Sequence, residues 1–129
     1  MSLEPRERDW PSIVESYRGL VEDHNWNFQP MLDLVKKIEN SPYAQGTAPM
    51  TSMAALYIAQ SNSGLNHFPK LRIEYDPENE NFAFTYEDGY MKKKWWRRTV
   101  SSDEGFELLE RFFLKRARWF KKSGHLSGQ

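Results

Sequence analysis

The sequence contains no cysteine, and this absence excludes disulfide bonds, thiolate metal sites and cysteine nucleophiles. It has no net charge, because 18 basic side chains are matched by 18 acidic ones, so no overall field attracts nucleic acid or an anionic membrane. The longest apolar run, residues 53–59, is far shorter than the roughly 20 residues that span a bilayer. The N-terminal residues are polar and unlike a signal peptide. We therefore expect a cytoplasmic protein that does not enter membranes.

Motifs for catalysis, metals and cofactors are also missing. The three histidines, His24, His67 and His125, are far apart and form no pair at metal-ligand spacing. The seven glycines occur singly, so there is no glycine-rich phosphate loop and no nucleophile elbow. The carboxylates of residues 78–88 lack the regular alternation of a calcium loop. We expect no metal, no cofactor and a function that is not enzymatic.

What is present is the composition of an ordinary globular domain. Of the 129 residues, 39% are hydrophobic, 28% are charged and 15% are aromatic. A chain of this length buries one shared core, and the absence of any proline- or glycine-rich linker argues against a second unit. We predict a single domain over residues 1–129, with disordered tails at residues 1–8 and 124–129.

Two helices are expected in the first third of the chain. Asp9 can cap the first helix, Pro11 suits its first turn, and apolar residues then recur with helical spacing until a stop near residues 23–25. The second helix should cover residues 30–40, because Pro42 prevents much continuation.

Strands are expected in the middle of the chain. Residues 43–50 are predicted to be a loop, and the uncharged residues 51–60 fit a strand buried on both faces, with a helix left open. Alternating apolar and polar residues predict a meander of three further strands, over residues 71–75, 82–86 and 91–100. Asp88-Gly89 predicts a tight type I′ hairpin between the last two.

A long helix is expected to close the chain. Ser101 and Glu104 form the pattern of a capping box, and Gly124 can end the helix. The predicted fold class is therefore α+β: two N-terminal helices, an antiparallel β-meander of three to four strands, and a long C-terminal helix packed on the sheet.

One region has an unusual composition. Residues 91–122 carry eleven Lys or Arg against four Asp or Glu, whereas residues 71–90 carry one basic and six acidic side chains. Helical spacing aligns several of these cations opposite the core face, and strand alternation points Trp95 and Trp96 to opposite faces. The candidate binding residues are Lys93, Trp95, Trp96, Arg97, Arg98, Arg111, Lys115, Arg118 and Trp119.

This basic and aromatic set has several interpretations. It can be no more than a solvated helix face and a charged sheet edge that resists aggregation. The main functional hypothesis is a non-catalytic adaptor that binds a partner protein, with Trp95, Trp96 and Trp119 as anchors, because aromatic and arginine side chains dominate interface hot spots. A nucleic-acid-binding domain could use the same residues, and a small-molecule binder or enzyme would need an aromatic pocket. A homodimer through an exposed strand is a further option.

Overall fold

The structure, a computed structural model, describes residues 9–61 and 69–121. Its helices are α1 (Trp10–Arg18), α2 (Gln29–Glu39) and α3 (Gly105–Arg111), and its strands are β1 (Thr47–Ser52), β2 (Ala55–Gln60), β3 (Lys70–Asp76), β4 (Asn81–Glu87) and β5 (Trp96–Ser101). π-Helical turns over Gly19–Asp23 and Phe112–Arg116 extend α1 and α3. The strands form one antiparallel sheet in the order β1-β2-β3-β4-β5. The predicted α+β class is confirmed, with five strands rather than three to four.

The core lies between the helices and one face of the sheet, which we call the inner face. Alternation places Leu71, Ile73 and Tyr75 of β3 on this face, each paired with an aromatic residue of β4. These six side chains are at most 8% exposed. The opposite face, the outer face, carries the polar residues of the same strands, which is the pattern of a sheet covered on one side.

The first helix begins as predicted. The Asp9 carboxylate accepts a hydrogen bond from the backbone N–H of Ser12 at 2.9 Å, and Pro11 occupies the first turn. The indole N–H of Trp10 donates to the hydroxyl of Thr47 at 3.1 Å, which ties the start of α1 to the start of β1.

The prediction of one strand over residues 51–60 is wrong, because this segment contains a hairpin. Met53 and Ala54 both adopt positive φ, at 51° and 69°, and the turn they form joins β1 to β2 with Ser52 opposite Ala55. Two positive φ angles are the requirement of a type I′ turn, which is normally met by Asn or Gly. The hydroxyl of Tyr17 donates to the carbonyl of Ala54 at 2.9 Å and helps to hold this turn. As a result, β1 begins inside the predicted loop over residues 43–50.

The connection between β4 and β5 is wider than the predicted hairpin at Asp88-Gly89. It contains a 3₁₀ turn over Lys92–Lys94, and β5 begins at Trp96 rather than at residue 91. The indole N–H of Trp95 donates to the carbonyl of Gly89 at 2.8 Å, which closes the loop across its base. This hydrogen bond of Trp95 therefore closes the connection, in place of the type I′ turn that Asp88-Gly89 predicted.

The last helix is shorter than predicted and lacks the capping box. The Ser101 hydroxyl donates to the carboxylate of Asp103 at 2.6 Å, and a 3₁₀ turn over Ser102–Glu104 precedes α3. The helical segment ends at Arg116, and Arg118 takes a φ of 58°, which turns the chain back. The predicted end at Gly124 and both predicted tails lie outside the described residues.

A buried tyrosine links the 3₁₀ turn over Pro42–Ala44 to α3. Tyr43 is 3% exposed, its hydroxyl donates to the Glu110 carboxylate at 2.9 Å, and its ring lies 5.0 Å from that of Phe120. Burial, together with the hydrogen bond to Glu110 and its negative charge, raises the pKa of Tyr43 to about 12. The neutral phenol is therefore stabilised in the folded state.

This shift predicts a loss of stability in alkali. Because the pKa of Tyr43 rises from 10.0 to about 12 on folding, its contribution is complete below pH 10.0 and disappears as the pH rises through about 12. Denaturant unfolding over this range should show a smaller pH-dependent loss for Tyr43→Phe than for the wild type. Equal losses in the two proteins would contradict the assigned environment of Tyr43.

Candidate functional site

Strand β5 divides the predicted binding residues between the two faces of the sheet. Trp96 and Arg98 lie opposite Tyr86 and Phe84 on the inner face, whereas Arg97 lies opposite Thr85 on the outer face. β5 pairs with β4 on one side, and no other described strand flanks it on the other side. Residues that are neighbours in sequence therefore belong to two separate sites.

The first site is a cleft between β5 and the end of α3, which we call the helix-side groove. It has a volume of 250 Å³. Its floor is apolar: Leu108 and Phe112 are buried, and the half-buried Trp96 lies with its ring centroid 5.3 Å from that of Phe112. Its rim consists of four cations, Arg98, Arg111, Lys115 and Arg116, and no carboxylate is among its described lining residues.

Arg98 of β5 lies over Trp96 at the floor of this groove. The Arg98 guanidinium lies 5.2 Å from the ring centroid of Trp96, within the range of a cation–π contact. Its Nη1 also donates to the carbonyl of Arg97 at 2.8 Å. The indole thus has Arg98 and Phe112 as neighbours, so a positive charge lies beside the apolar floor of the groove.

Arg116 is a groove residue that the helical wheel did not select. The wheel aligned Arg111 with Lys115 at a spacing of four residues, as in a regular α-helix. The structure has a π-helical turn over Phe112–Arg116, whose hydrogen bonds span five residues, and this turn adds Arg116 to the rim. In the sequence, Arg116 is distinguished only by its position in the basic region of residues 91–122.

Three predicted residues lie outside both sites. Lys93 is exposed in the 3₁₀ turn before β5, and Arg118 follows the end of the helix. Trp119 is 3% exposed and stacks on Phe113 at a centroid distance of 5.6 Å. Its predicted role as an exposed anchor does not fit this position, since the helix ends before Trp119 and the chain turns it into the core.

The second site is a hollow on the outer face, which we call the outer-face pocket. It has a volume of 390 Å³ and contains Trp95 and Arg97 from the predicted set. The strand register aligns Met50, Tyr57, Arg72, Thr85 and Arg97 in one row across all five strands, and all but Thr85 line the pocket. Sequence reasoning missed the contributions of β1 to β4 because only the register brings these strands together.

The described residues offer little else for chemistry. In residues 9–61 and 69–121, no group of three or more His, Asp or Glu side chains is placed to hold a metal ion. His24 is exposed, while His67 and His125 fall outside the described part of the chain. No described helix is long and apolar enough to cross a membrane. Comparison with protein-family models, with curated proteins and with solved structures finds no match to this chain.

Proposed function

We propose that this protein is a non-catalytic interaction module that binds an acidic, extended segment of a partner protein in the helix-side groove. The observation that carries the proposal is a rim of four cations around an apolar floor, with no carboxylate among the described lining residues. Such a groove suits a segment that places an apolar side chain against the half-buried Trp96 and its carboxylates on the rim. We place the protein in the cytoplasm on the sequence argument alone.

The edge position of β5 supports an extended partner. An edge strand offers backbone N–H and C=O groups that a segment of another chain can pair with, so that main-chain hydrogen bonds supply affinity and side-chain pockets supply specificity. β5 lies at the edge of the described sheet, and two of its side chains, Trp96 and Arg98, enter the groove. A segment paired with β5 would therefore run along the groove.

The charge distribution favours a protein partner over nucleic acid. A phosphate backbone needs a continuous positive track, but the cations of this chain are divided between the two faces of the sheet. The chain also carries no net charge that would guide a polyanion to it.

A binding assay with defined probes tests this proposal. The probes are a library of labelled peptides with alternating acidic and apolar residues, the same peptides with Glu replaced by Gln, and a single-stranded oligonucleotide of equal charge. We expect acidic peptides to bind, and the double variant Arg111→Glu/Lys115→Glu to weaken their binding by about a hundredfold, since a reversed charge loses a charge-assisted contact of roughly 1.5–3 kcal/mol. The matched control is Lys36→Glu/Lys37→Glu on α2, where both lysines are exposed and neither lines the groove.

Each other outcome counts against the proposal. If the Gln peptides bound as tightly as the acidic peptides, the cations of the rim would have no role in binding. If the α2 control weakened binding as much as Arg111→Glu/Lys115→Glu does, the effect would come from net charge and not from the groove. Tighter binding of the oligonucleotide, with an affinity that falls steeply with salt, would favour the nucleic-acid hypothesis instead.

A further inference from the structure

The outer-face pocket contains an ion pair between a buried carboxylate and a partly exposed arginine, on the side of the sheet that the helices leave uncovered. Glu87 is only 6% exposed, and its carboxylate lies 3.2 Å from Nη1 of Arg72. Taking the Glu87 carboxylate out of water costs free energy, which its contact with Arg72 offsets. Its effect here is to fix the Arg72 guanidinium in one orientation at the centre of the cross-strand row.

The Arg72 guanidinium is only partly satisfied by these contacts. Its Nε lies 3.3 Å from the Glu74 carboxylate, close enough for an ion pair, but the N–H direction is unsuitable for a hydrogen bond. This buried Nε–H therefore has no hydrogen-bond partner among the described residues. The charge of Arg72 is therefore neutralised by Glu87 and Glu74, while its Nε–H makes no hydrogen bond.

The rim of the pocket adds three cations that lie against aromatic rings. Lys92 and Arg97 are 5.9 and 5.6 Å from the ring centroid of Trp95, and Lys70 is 5.6 Å from that of Tyr57. Within the described residues, neither Lys92 nor Arg97 lies within ion-pair distance of a carboxylate. Positive charge and flat apolar surface therefore occur together around one hollow.

We propose that this pocket binds a small aromatic anion, a ring that carries a phosphate or carboxylate group. The anionic group would lie between Lys92 and Arg97, and the ring would contact the partly exposed Tyr57 and Trp95. The volume of 390 Å³ is within the range of about 300–1,000 Å³ of small-molecule sites. The site is separate from the helix-side groove, because Arg97 and Arg98 point to opposite faces of β5.

Titration calorimetry with four simple probes tests the proposal. Phenyl phosphate and benzoate carry both features, inorganic phosphate lacks the ring, and phenol lacks the charge at neutral pH. We expect phenyl phosphate or benzoate to bind at least about tenfold more tightly than inorganic phosphate and phenol, and the stronger of the two identifies the anionic group. Arg97→Gln should weaken that binding by about tenfold, whereas Arg98→Gln should leave it unchanged.

The pair of neighbouring variants also separates this proposal from the proposed function. Arg98→Gln acts on the groove and Arg97→Gln on the pocket, and each serves as the control for the other. Equal binding of all four probes, no measurable binding of either aromatic anion, or equal weakening by both variants would overturn the proposal. Circular dichroism melts of both variants exclude loss of fold as the cause.

Discussion

Replacement of Gly105 by alanine is expected to destabilise the fold by about 1–3 kcal/mol, as overpacking of a core does. Gly105 is buried at the start of α3, and a Cβ there would lie 2.6 Å from Cδ2 and 2.7 Å from Cε2 of Phe82. Phe82 is 1% exposed and packs against Tyr75, whose ring centroid is 5.3 Å away. Denaturant unfolding of the wild type and of Gly105→Ala measures the difference.

Gly19→Ala is the matched control for this substitution. Both glycines have helical backbone angles, with φ of −60° at Gly19 and −61° at Gly105, so alanine strains neither backbone. The Cβ of the control would meet only the carboxylate of Asp23, at 3.7 Å. Since alanine is the better helix former by about 1 kcal/mol, Gly19→Ala should stabilise the protein. A stabilising effect of alanine at Gly105 as well would contradict the close contact of α3 with Phe82.

Trp119→Ala is expected to destabilise the protein by about 3–5 kcal/mol, the range of large-to-small substitutions of core aromatic residues. Trp119 is 3% exposed, and its ring lies 5.6 Å from Phe113, 5.8 Å from Phe112 and 6.2 Å from Tyr86. Its removal would open a cavity under the end of α3. The free energy of unfolding of the variant measures the cost.

Trp26→Ala serves as the control because it removes the same side chain from the surface. Trp26 is 47% exposed and has one described ring contact, with Phe28 at 5.5 Å. We expect its free energy of unfolding to change by less than about 1 kcal/mol. If Trp119→Ala had an equally small effect, Trp119 would lie on the surface, as the interpretation of the sequence supposed.

The features of the fold that local patterns determine were predictable from the sequence. Asp9 caps α1 through a hydrogen bond from Ser12, three residues away, so the local sequence is sufficient to predict it. β3 and β4 are predicted by the alternation of apolar and polar residues, because helices cover only one face of the sheet. The β1–β2 hairpin was not predictable in this way. Its turn residues, Met53 and Ala54, are poor formers of positive φ, and the turn is supported by Tyr17 from α1.

The end of the last helix shows the same limit. The sequence continues with good helix formers through Ala117 and Arg118, so helical periodicity predicts continuation. In the structure, Trp119 and Phe120 leave the helix and enter the aromatic cluster around Phe113. Packing of two large side chains outweighs the modest preference of each residue for helix.

The two candidate sites were also predictable only in part. The basic and aromatic composition of residues 91–122 was evident from the sequence, and strand alternation separates Arg97 from Arg98 without any coordinates. The partners of each residue were not evident, because the outer-face pocket depends on the register of five strands. The π-helical turn that adds Arg116 to the groove has no signal in side-chain periodicity.

The most direct test of the proposed function measures the affinity of an acidic, extended peptide for Arg98→Gln and Arg97→Gln side by side. Each variant removes one positive charge from β5, at adjacent positions, so the two proteins have the same net charge. A groove site predicts that Arg98→Gln weakens binding by about tenfold while Arg97→Gln leaves it unchanged. Equal affinities of the two variants, or a loss confined to Arg97→Gln, would contradict binding in the helix-side groove.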